Sequence, residues 1–345
     1  MSTPAVFFDA FTEIGPRHRK HLAHAWKLEE LIAELDHCSI SGALVASTLS
    51  TLYDPMHSNL ELSRALQKHE HLFPIWNVMP NATGEFPPPD KLARLMRQHD
   101  VRAISVHPKA NAWDWFADHS VELFRFLERR RILTIVPKEE IGDYSALDQF
   151  LSKFKRLRVL LVRAFWTEQR YLLPLLRKHR NLHIGFDHFQ IHYGLEELTA
   201  AGLEDQLLFT SDAPQMSAGA HRCYVDYADI PEKARAKIAG GNLARLLGMK
   251  MPRERVNKNE DTIMRAARHG RPLPCPVVDM HMHILNEGLH GAGGSHRMHR
   301  GGPKGVFNLL KRLNVIGGGF MSWNVVSGDS LAGNKTVTDT LDAAP

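Results

Sequence analysis

The sequence predicts a (β/α)8 TIM barrel over residues 1–249, followed by a partial second βαβα unit. Two observations lead to this prediction. Eight short apolar runs alternate with amphipathic helical segments over about 250 residues, which is the size and order of such a barrel. The pattern at the start of the chain then recurs after residue 274, with too few residues left for a second complete barrel.

Continuous runs of branched and aromatic side chains predict the eight strands. Apolar and polar residues alternate little in these runs, as expected for parallel strands that are covered on both faces. An open doubly wound sheet is the alternative, but no G-x-G-x-x-G sequence follows the first strand. The predicted strands lie at residues 5–8, 42–45, 72–78, 101–106, 132–136, 159–162, 182–186 and 207–210.

Helical spacing of apolar residues predicts the segments that cover these strands. Leu28 and Leu31 begin one apolar face, and residues 171–179 carry another. The last helical segment of the barrel runs from residue 229 to residue 248. We expect Gly240 and Gly241 to divide it into two pieces, because glycine weakens a helix interior.

The amino-acid composition limits the classes of protein to which this chain can belong. Hydrophobic residues make up 43% and charged residues 23%, which is ordinary for a soluble globular protein and excludes a mainly disordered, collagen-like or coiled-coil chain. No apolar stretch approaches about 18 residues, and the first residues lack a secretory pattern, so we expect a cytoplasmic protein without a membrane partner. Three widely spaced cysteines, Cys38, Cys223 and Cys275, agree with reduced thiols.

The net charge and the histidine content indicate which partners and ligands to expect. The net charge is +5 with scattered positive residues, so we expect a small-molecule substrate and no nucleic acid. Homo-oligomerisation stays open. The chain contains 21 histidines, and because histidine serves metal binding and proton transfer, their positions matter.

A repeat divides the chain. Residues 250–274 are polar, charged and proline-tipped, and they predict a linker. After it, residues 277–284 align with residues 7–14. We therefore expect a barrel at residues 1–249 and the first quarter of a second barrel at residues 275–345. A unit of about 70 residues leaves sheet edges open, so it is either an incomplete copy or docks on another surface.

The strongest motif is Asp279-Met280-His281-Met282-His283, at the end of the first strand of the second unit. Residues i and i+2 of a strand share a face, so His281 and His283 project together. Two imidazoles in this arrangement can bind one metal ion. The alternative is two polar residues at a strand end.

A second motif follows the eighth predicted strand and reads Thr210-Ser211-Asp212-Ala213-Pro214. A carboxylate there can bind a divalent metal and act as general base toward a metal-bound water. Asp212 is therefore the predicted catalytic residue and the third predicted metal ligand. The alternative is an aspartate that caps the following turn.

These two motifs and the segment I-A-G-G-N-L-A-R-L-L-G at residues 238–248 resemble the amidohydrolase-related family of metal-dependent hydrolases. The resemblance covers residues 5–249 as a whole barrel and residues 275–345 as the start of a second. It implies a TIM barrel with one or two divalent ions, usually zinc. It also implies hydrolysis of C–N or C–O bonds, or decarboxylation of aromatic acids, through metal-activated water.

The first barrel departs from the pattern of that family. Phe11 and Glu13 stand where the resemblance places two histidines on the first strand. Residues 136–138 and 162–164 lack the histidines that it places after the fifth and sixth strands. Only Asp212 matches, and one carboxylate does not hold zinc against water. We therefore expect the usual metal site to be absent from this barrel.

Other polar residues follow the predicted strands, where barrel enzymes place catalytic groups. They mix cations with carboxylates. They would either bind an anionic substrate and move protons without metal, through Asp187, His188 and Asp212, or form a salt-bridged cluster in a silent barrel. The candidate substrate-binding residues are His107, Lys138, Arg163 and His188.

Two further groups of histidines are present. We expect the first group to lie in a solvated loop and the second to lie in a flexible glycine-rich loop, which in the resembled family overhangs the active site. The groups are His18, His21 and His24, and His290, His296 and His299.

The function predicted from the sequence is that of an amidohydrolase-like metal-dependent hydrolase of a small-molecule C–N or C–O bond, or a decarboxylase of an aromatic acid. The expected cofactor is a divalent metal, specifically zinc, with a metal-free first domain as the other outcome. The competing hypothesis is a catalytically silent TIM barrel that binds a ligand or partners an active amidohydrolase.

Overall fold

A computed structural model describes residues 4–17, 27–285 and 298–342 of the chain. Eight parallel strands form one sheet in chain order, each paired with the next. In order, they are β1 (Phe7–Ile14), β2 (Ile40–Ser47), β3 (Leu72–Asn77), β4 (Ala103–Ser105), β5 (Leu133–Pro137), β6 (Arg158–Val162), β7 (Leu182–Gly185) and β8 (Leu207–Leu208).

The sheet closes between its first and last strands. The N–H of Ala10 donates to the carbonyl of Phe209, and the N–H of Glu13 donates to the carbonyl of Ala213, both at 2.9 Å. The N–H of Asp212 donates back to Phe11 at 3.1 Å. The (β/α)8 TIM barrel predicted from the apolar runs is confirmed.

Helices cover the outside of the barrel. Several begin at a side chain that accepts a main-chain N–H, as Asp54, Asp143 and Ser217 do. The helices are α1 (Leu28–His37), α2 (Leu49–Leu52), α3 (Pro55–Leu66), α4 (Pro89–Gln98), α5 (Asp118–Arg130), α6 (Tyr144–Lys153), α7 (Gln169–Lys178), α8 (Gly194–Ala200), α9 (Ala218–Asp226), α10 (Glu232–Ala236) and α11 (Asn242–Leu247). Among the residues that the structure describes, no helix combines the length and the apolar character of a membrane span.

The apolar core has two layers because neighbouring residues of a strand face opposite sides. Phe7 of β1 packs in the layer between strands and helices, whereas Phe8 packs inside the barrel. Phe124 of α5 anchors the outer layer, with its ring centroid 4.6 Å from that of Phe150 and 5.4 Å from that of Phe154. This closed core fixes the strand ends that carry the site.

The last helical segment of the barrel differs from the prediction. Gly240 and Gly241 do not divide it, because a π-helix, Lys237–Gly241, joins α10 directly to α11. A Cβ on Gly240 would lie 2.9 Å from the Cβ of Phe8, so glycine allows close packing against β1. The side chain of Asn242 then donates to the carbonyl of Leu207 at 2.9 Å.

A second unit follows the barrel. Residues after 249 include the short helix α12 (Thr262–Arg268), and then a two-stranded parallel sheet with helices forms a βαβα unit. This partial unit was predicted. Its elements are β9 (Val277–Ile284), α13 (Pro303–Leu313), β10 (Val315–Ser322), α14 (Trp323–Ser327) and α15 (Ser330–Asp342).

The two units repeat each other in hydrogen-bonding register. β9 and β10 pair position for position as β1 and β2 do, with the irregularities at the same places. The pairs at the two ends are Phe7–Ile40 and Ile14–Ser47 in the barrel, and Val277–Val315 and Ile284–Ser322 in the second unit. Phe11 and Glu13 therefore occupy the positions that His281 and His283 occupy in the repeat.

The second unit contacts the barrel beside the ends of β6 and β7. The ring centroids of Trp166 and Trp323 are 6.1 Å apart. His299 is buried, and its Nε2 lies 2.9 Å from the side-chain nitrogen of Gln169 on α7. Nδ1 of His192 lies 2.8 Å from the carbonyl of His299. The unit thus docks on the barrel rather than standing free.

Candidate active site

The candidate active site lies at the C-terminal ends of the barrel strands, where loops from separate strands converge. Glu13 lies near the end of β1, and Arg163 directly follows β6. Asp187 and His188 follow β7, and Asp212 follows β8. Of these five residues, all but Glu13 follow their strand directly or within a few residues, so the closed sheet brings them together.

The guanidinium of Arg163 links three strand ends. Its Nε and Nη2 donate to the two oxygens of Asp212 at 3.1 and 2.8 Å. Nη2 also donates to Oε2 of Glu13 at 2.6 Å, and Nη1 donates to Oε1 of Glu139 at 3.1 Å. Burial alone would lower the pKa of Arg163, but the charges of Glu13 and Asp212 raise it further above its ordinary value. Arg163 is therefore a permanent cation.

The main chain of Arg163 also contributes to the site. Its N–H donates to Oδ2 of Asp187 at 2.8 Å. The backbone of Arg163 is left-handed with φ of 60°, as is that of Asp212 with φ of 51°. Such a conformation costs of order 1–3 kcal/mol in a residue with a Cβ and persists where surrounding contacts fix it. The bidentate pair between the two side chains provides such contacts.

Asp187 orients His188. Oδ2 of Asp187 lies 3.0 Å from Nδ1 of His188. This hydrogen bond raises the pKa of His188, against the effect of burial. Burial raises the pKa of Asp187, but hydrogen bonds from His188 and Thr210 outweigh it and lower the pKa overall. The imidazole is 21% exposed and the carboxylate is buried, so His188 is the part of the pair that reaches the mouth of the barrel.

Gly185 and Thr210 position Asp187. The hydroxyl of Thr210 donates to Oδ1 of Asp187 at 2.6 Å. A Cβ on Gly185 would lie 2.7 Å from that same oxygen and would collide with the Thr210 side chain. The Gly-Phe-Asp-His sequence therefore needs its glycine for the carboxylate to reach this position.

Two buried carboxyl groups titrate near neutrality. Burial raises the pKa of Asp212 to about 7, against the lowering effect of Arg163, and the charges of Glu13 and Asp187 add to the rise. Burial likewise raises the pKa of Asp9 to about 7, although hydrogen bonds from Ser211 and Phe11 lower it. A carboxyl group with such a pKa can exchange a proton near pH 7.

Asp187, His188 and Asp212 form a candidate metal site. Each offers one ligand atom, and these atoms all lie within 4.8 Å of one another. Two carboxylates and one imidazole are ligands that bind divalent ions. The group fits such an ion in ligand type and spacing. No partner ligand for Asp212 was predicted within the barrel, and Asp187 and His188 are two candidates that lie close to it.

The predicted substrate-binding residues divide into two pairs. Arg163 and His188 belong to the cluster just described. His107 follows β4 but is buried, with Nε2 3.1 Å from the hydroxyl of Ser105. Lys138 follows β5, and its Nζ forms an ion pair of 3.1 Å with Glu168 at the rim. These last two are held by neighbours and lie at the edge of the cluster.

His281 and His283 lie together on β9. Their Nε2 atoms are 3.2 Å apart, and the ring centroids of His283 and Trp323 are 4.5 Å apart. Among the described residues, neither shares a group of three or more ligand atoms with Asp212. The histidine pair is thus not part of the barrel cluster.

The other histidine groups lie mostly outside the described residues. That is the case for His18, His21, His24, His290 and His296. His299 is described and buried, and its Nδ1 lies 3.5 Å from Oε2 of Glu197.

Sequence reasoning missed two residues of the cluster. Arg17 contacts Oε2 of Glu13 at 2.6 Å, and no spacing rule connects a loop arginine to that oxygen. Thr210 binds Asp187, and its position two residues before Asp212 was an available signal because i and i+2 share a face on extended backbone.

A comparison with protein families identifies the family of this chain. The sequence profile described as Amidohydrolase matches residues 62–249, which is more than half of the chain. The chain belongs to this amidohydrolase family. The prediction of an amidohydrolase-like metal-dependent hydrolase is thereby confirmed at the level of the family. No curated protein matches the chain in the corresponding sequence comparison.

Solved structures of other proteins have the same barrel fold as this chain. The 5-carboxyvanillate decarboxylase of Sphingomonas paucimobilis is 12% identical, with a TM-score of 0.55, over 71% of this chain and 99% of that one. The 2,6-dihydroxybenzoate decarboxylase of Rhizobium is 11% identical, with a TM-score of 0.52, over the same shares. The manganese-bound 5-carboxyvanillate decarboxylase of Novosphingobium aromaticivorans is 11% identical, with a TM-score of 0.57, over 71% and 97%.

Proposed function

We propose that the mouth of this barrel hydrolyses a C–N or C–O bond of a small aromatic acid, or decarboxylates such an acid. The observation that carries the proposal is the meeting of Asp187, His188 and Asp212 in one cluster at the strand ends. Membership in the amidohydrolase family and the decarboxylases with the same fold support this class of reaction. The proposed location is the cytoplasm, in agreement with three free cysteines.

A divalent ion at Asp187, His188 and Asp212 is part of the proposal, with zinc as the proposed metal and manganese as the ion of one relative. Such an ion lowers the pKa of a bound water and polarises a carbonyl or carboxylate oxygen. The proposal assigns these three side chains as its holders in the barrel.

The chain itself supplies proton transfer. Asp187 fixes the ring of His188 through Nδ1, which leaves the opposite side of the half-buried imidazole toward the mouth. Asp212 is the proposed general acid or base, because burial raises its pKa to about 7. The main-chain N–H of Arg163 holds Asp187 in place, so Arg163 is a positioning residue in this step.

An aromatic carboxylate matches the surface around His188. The ring of Phe165 is 51% exposed, and its centroid lies 5.5 Å from that of His188. Lys138 adds a second cation at the rim. An apolar ring at the mouth complements the ring of the substrate, and the Lys138 cation complements its carboxylate. His107 is a proposed contact at the other edge of the mouth.

His281 and His283 are proposed as a second, weaker metal site. Two nitrogens bound to one tetrahedral zinc at about 2.0–2.1 Å would lie about 3.3 Å apart, and these Nε2 atoms are 3.2 Å apart. Two ligands alone hold an ion loosely, so we assign the chemistry to the barrel cluster.

The test is turnover of a panel of benzoic-acid derivatives with amide, ester and free carboxylate groups, with and without zinc or manganese. Asp212→Asn should reduce the rate by about 100-fold or more. Asp100→Asn is the matched control, because Asp100 is exposed and precedes β4 at the opposite end of the barrel. Unchanged turnover in a folded Asp212→Asn variant would contradict the proposal. Binding of an acid without turnover would favour a silent ligand-binding barrel.

A further inference from the structure

We propose that the guanidinium of Arg163 takes the place of a metal ion on the β1 side of the barrel mouth, as a fixed internal cation. The inference rests on the site of the proposed function but does not require its activity. It concerns the residues that replace the histidine pair of the repeat.

The internal repeat shows which residues are equivalent. Because β1 and β9 have the same register with their partners, Phe11 corresponds to His281 and Glu13 to His283. One local contact confirms the alignment. Oδ1 of Asp9 accepts the N–H of Phe11 at 3.1 Å, and Oδ1 of Asp279 accepts the N–H of His281 at 3.0 Å.

Both substituted residues contact the same guanidinium. The carboxylate of Glu13 accepts from Arg163 at 2.6 Å. The guanidinium carbon lies 5.1 Å from the ring centroid of Phe11, within the range of a cation–π contact. Two positions that carry imidazoles in the repeat, where the imidazole nitrogens are 3.2 Å apart, thus carry a carboxylate and an aromatic face directed at a cation.

The remaining contacts of the guanidinium are also those of a cation site. Asp212 binds it in bidentate fashion, and Glu139 binds its third nitrogen. Asp212 is 1% exposed and Glu13 is 10% exposed at the side chain, so their charges need a partner inside the protein. Arg163 supplies that partner, and Arg17 adds a second contact to Glu13.

This arrangement has a consequence for metal binding at the neighbouring group. An ion held by Asp187, His188 and Asp212 would share Asp212 with Arg163. A positive charge this close opposes a second one and engages the same carboxylate oxygens. The native chain should therefore bind a divalent ion weakly, and removal of the guanidinium charge should strengthen binding.

The experiment measures the affinity of the full chain for Zn²⁺ and for Mn²⁺ alone by titration calorimetry. Arg163→Gln should bind at least about tenfold more tightly than the native chain, since one like charge is removed. Arg163→Lys keeps the charge and should bind as the native chain does. Arg102→Gln, in the exposed pair with Asp100, is the control for loss of a surface arginine.

Equal affinity of Arg163→Gln and the native chain would overturn the inference while leaving the proposed metal site intact, and so would equal gains in Arg163→Gln and Arg163→Lys. If the native chain turns over no member of the panel above, but Arg163→Gln still binds the ion more tightly than the native chain, only the proposed function is refuted. If Arg163→Gln does not fold, the Nε–H signal of Arg163 in the native chain answers the question. Zinc that reaches the cluster shifts the imidazole signals of His188, and it must then also shift the Arg163 signal, because both share Asp212. Shifted His188 signals beside an unshifted Arg163 signal would refute the inference.

Discussion

Replacement of Asp9 by asparagine should stabilise the protein in a pH-dependent way. Asp9 is fully buried, and burial raises its pKa from 3.8 to about 7. Each pKa unit corresponds to about 1.4 kcal/mol, so ionisation of this group costs the folded state about 4 kcal/mol. Asparagine keeps an oxygen that can accept the N–H groups of Phe11 and Ser211, as Oδ1 of Asp9 does at 3.1 Å.

The direction in which stability changes with pH follows from how many protons the folded and unfolded states bind. Between about pH 4 and pH 7 the folded protein keeps the proton of Asp9 and the unfolded chain has lost it, so this group's contribution to stability is present at low pH and is lost as pH rises through 7. Asp9→Asn has no proton to lose at this position, so its stability does not fall in this way as pH rises. Its advantage in the free energy of unfolding should grow by about 2–3 kcal/mol between about pH 5 and pH 8.

Urea denaturation followed by tryptophan fluorescence at those two pH values measures this difference. Asp100→Asn serves as the control, because Asp100 is exposed. The difference in the free energy of unfolding between Asp100→Asn and the native chain should not show the same increase with pH. A difference between Asp9→Asn and the native chain that stays constant with pH, or that decreases as pH rises, would refute the account of Asp9 as a buried carboxyl.

Three further predictions concern the cluster and the core. Asp187→Asn should lower the pKa of His188, because the hydrogen bond that the imidazole donates to Asp187 raises it, and NMR titration of the imidazole checks this. Gly185→Ala should displace Asp187, whose Oδ1 would lie 2.7 Å from the new Cβ, so the same titration should show a lowered pKa. Phe124→Ala should reduce the free energy of unfolding by about 3–5 kcal/mol, since the ring is fully buried; a loss below about 1 kcal/mol in urea denaturation would contradict its core role.

The fold was predictable because its signals are local. Each parallel strand is a continuous apolar run, and the repeat of residues 7–14 at residues 277–284 is visible in the order of residue types. The π-helix at Lys237–Gly241 was not predictable from local propensity. It depends on the approach of Gly240 to Phe8, which are far apart in the chain.

The site was predictable only in part, for the same reason. Asp212, His188 and Arg163 were recognised by their places after strands, but their mutual contacts join residues that are many positions apart. The absence of histidines at positions 11 and 13 indicated a degenerate metal site. Only the structure shows that Phe11 and Glu13 both contact the guanidinium of Arg163.

The most direct test of the account is anomalous diffraction from manganese-soaked crystals of the Arg163→Gln protein, compared with crystals of the native chain under the same conditions. The account predicts a peak in contact with Asp187, His188 and Asp212 that is stronger in the variant than in the native protein. A peak confined to His281 and His283, or equal peaks at the barrel cluster in both proteins, would contradict it.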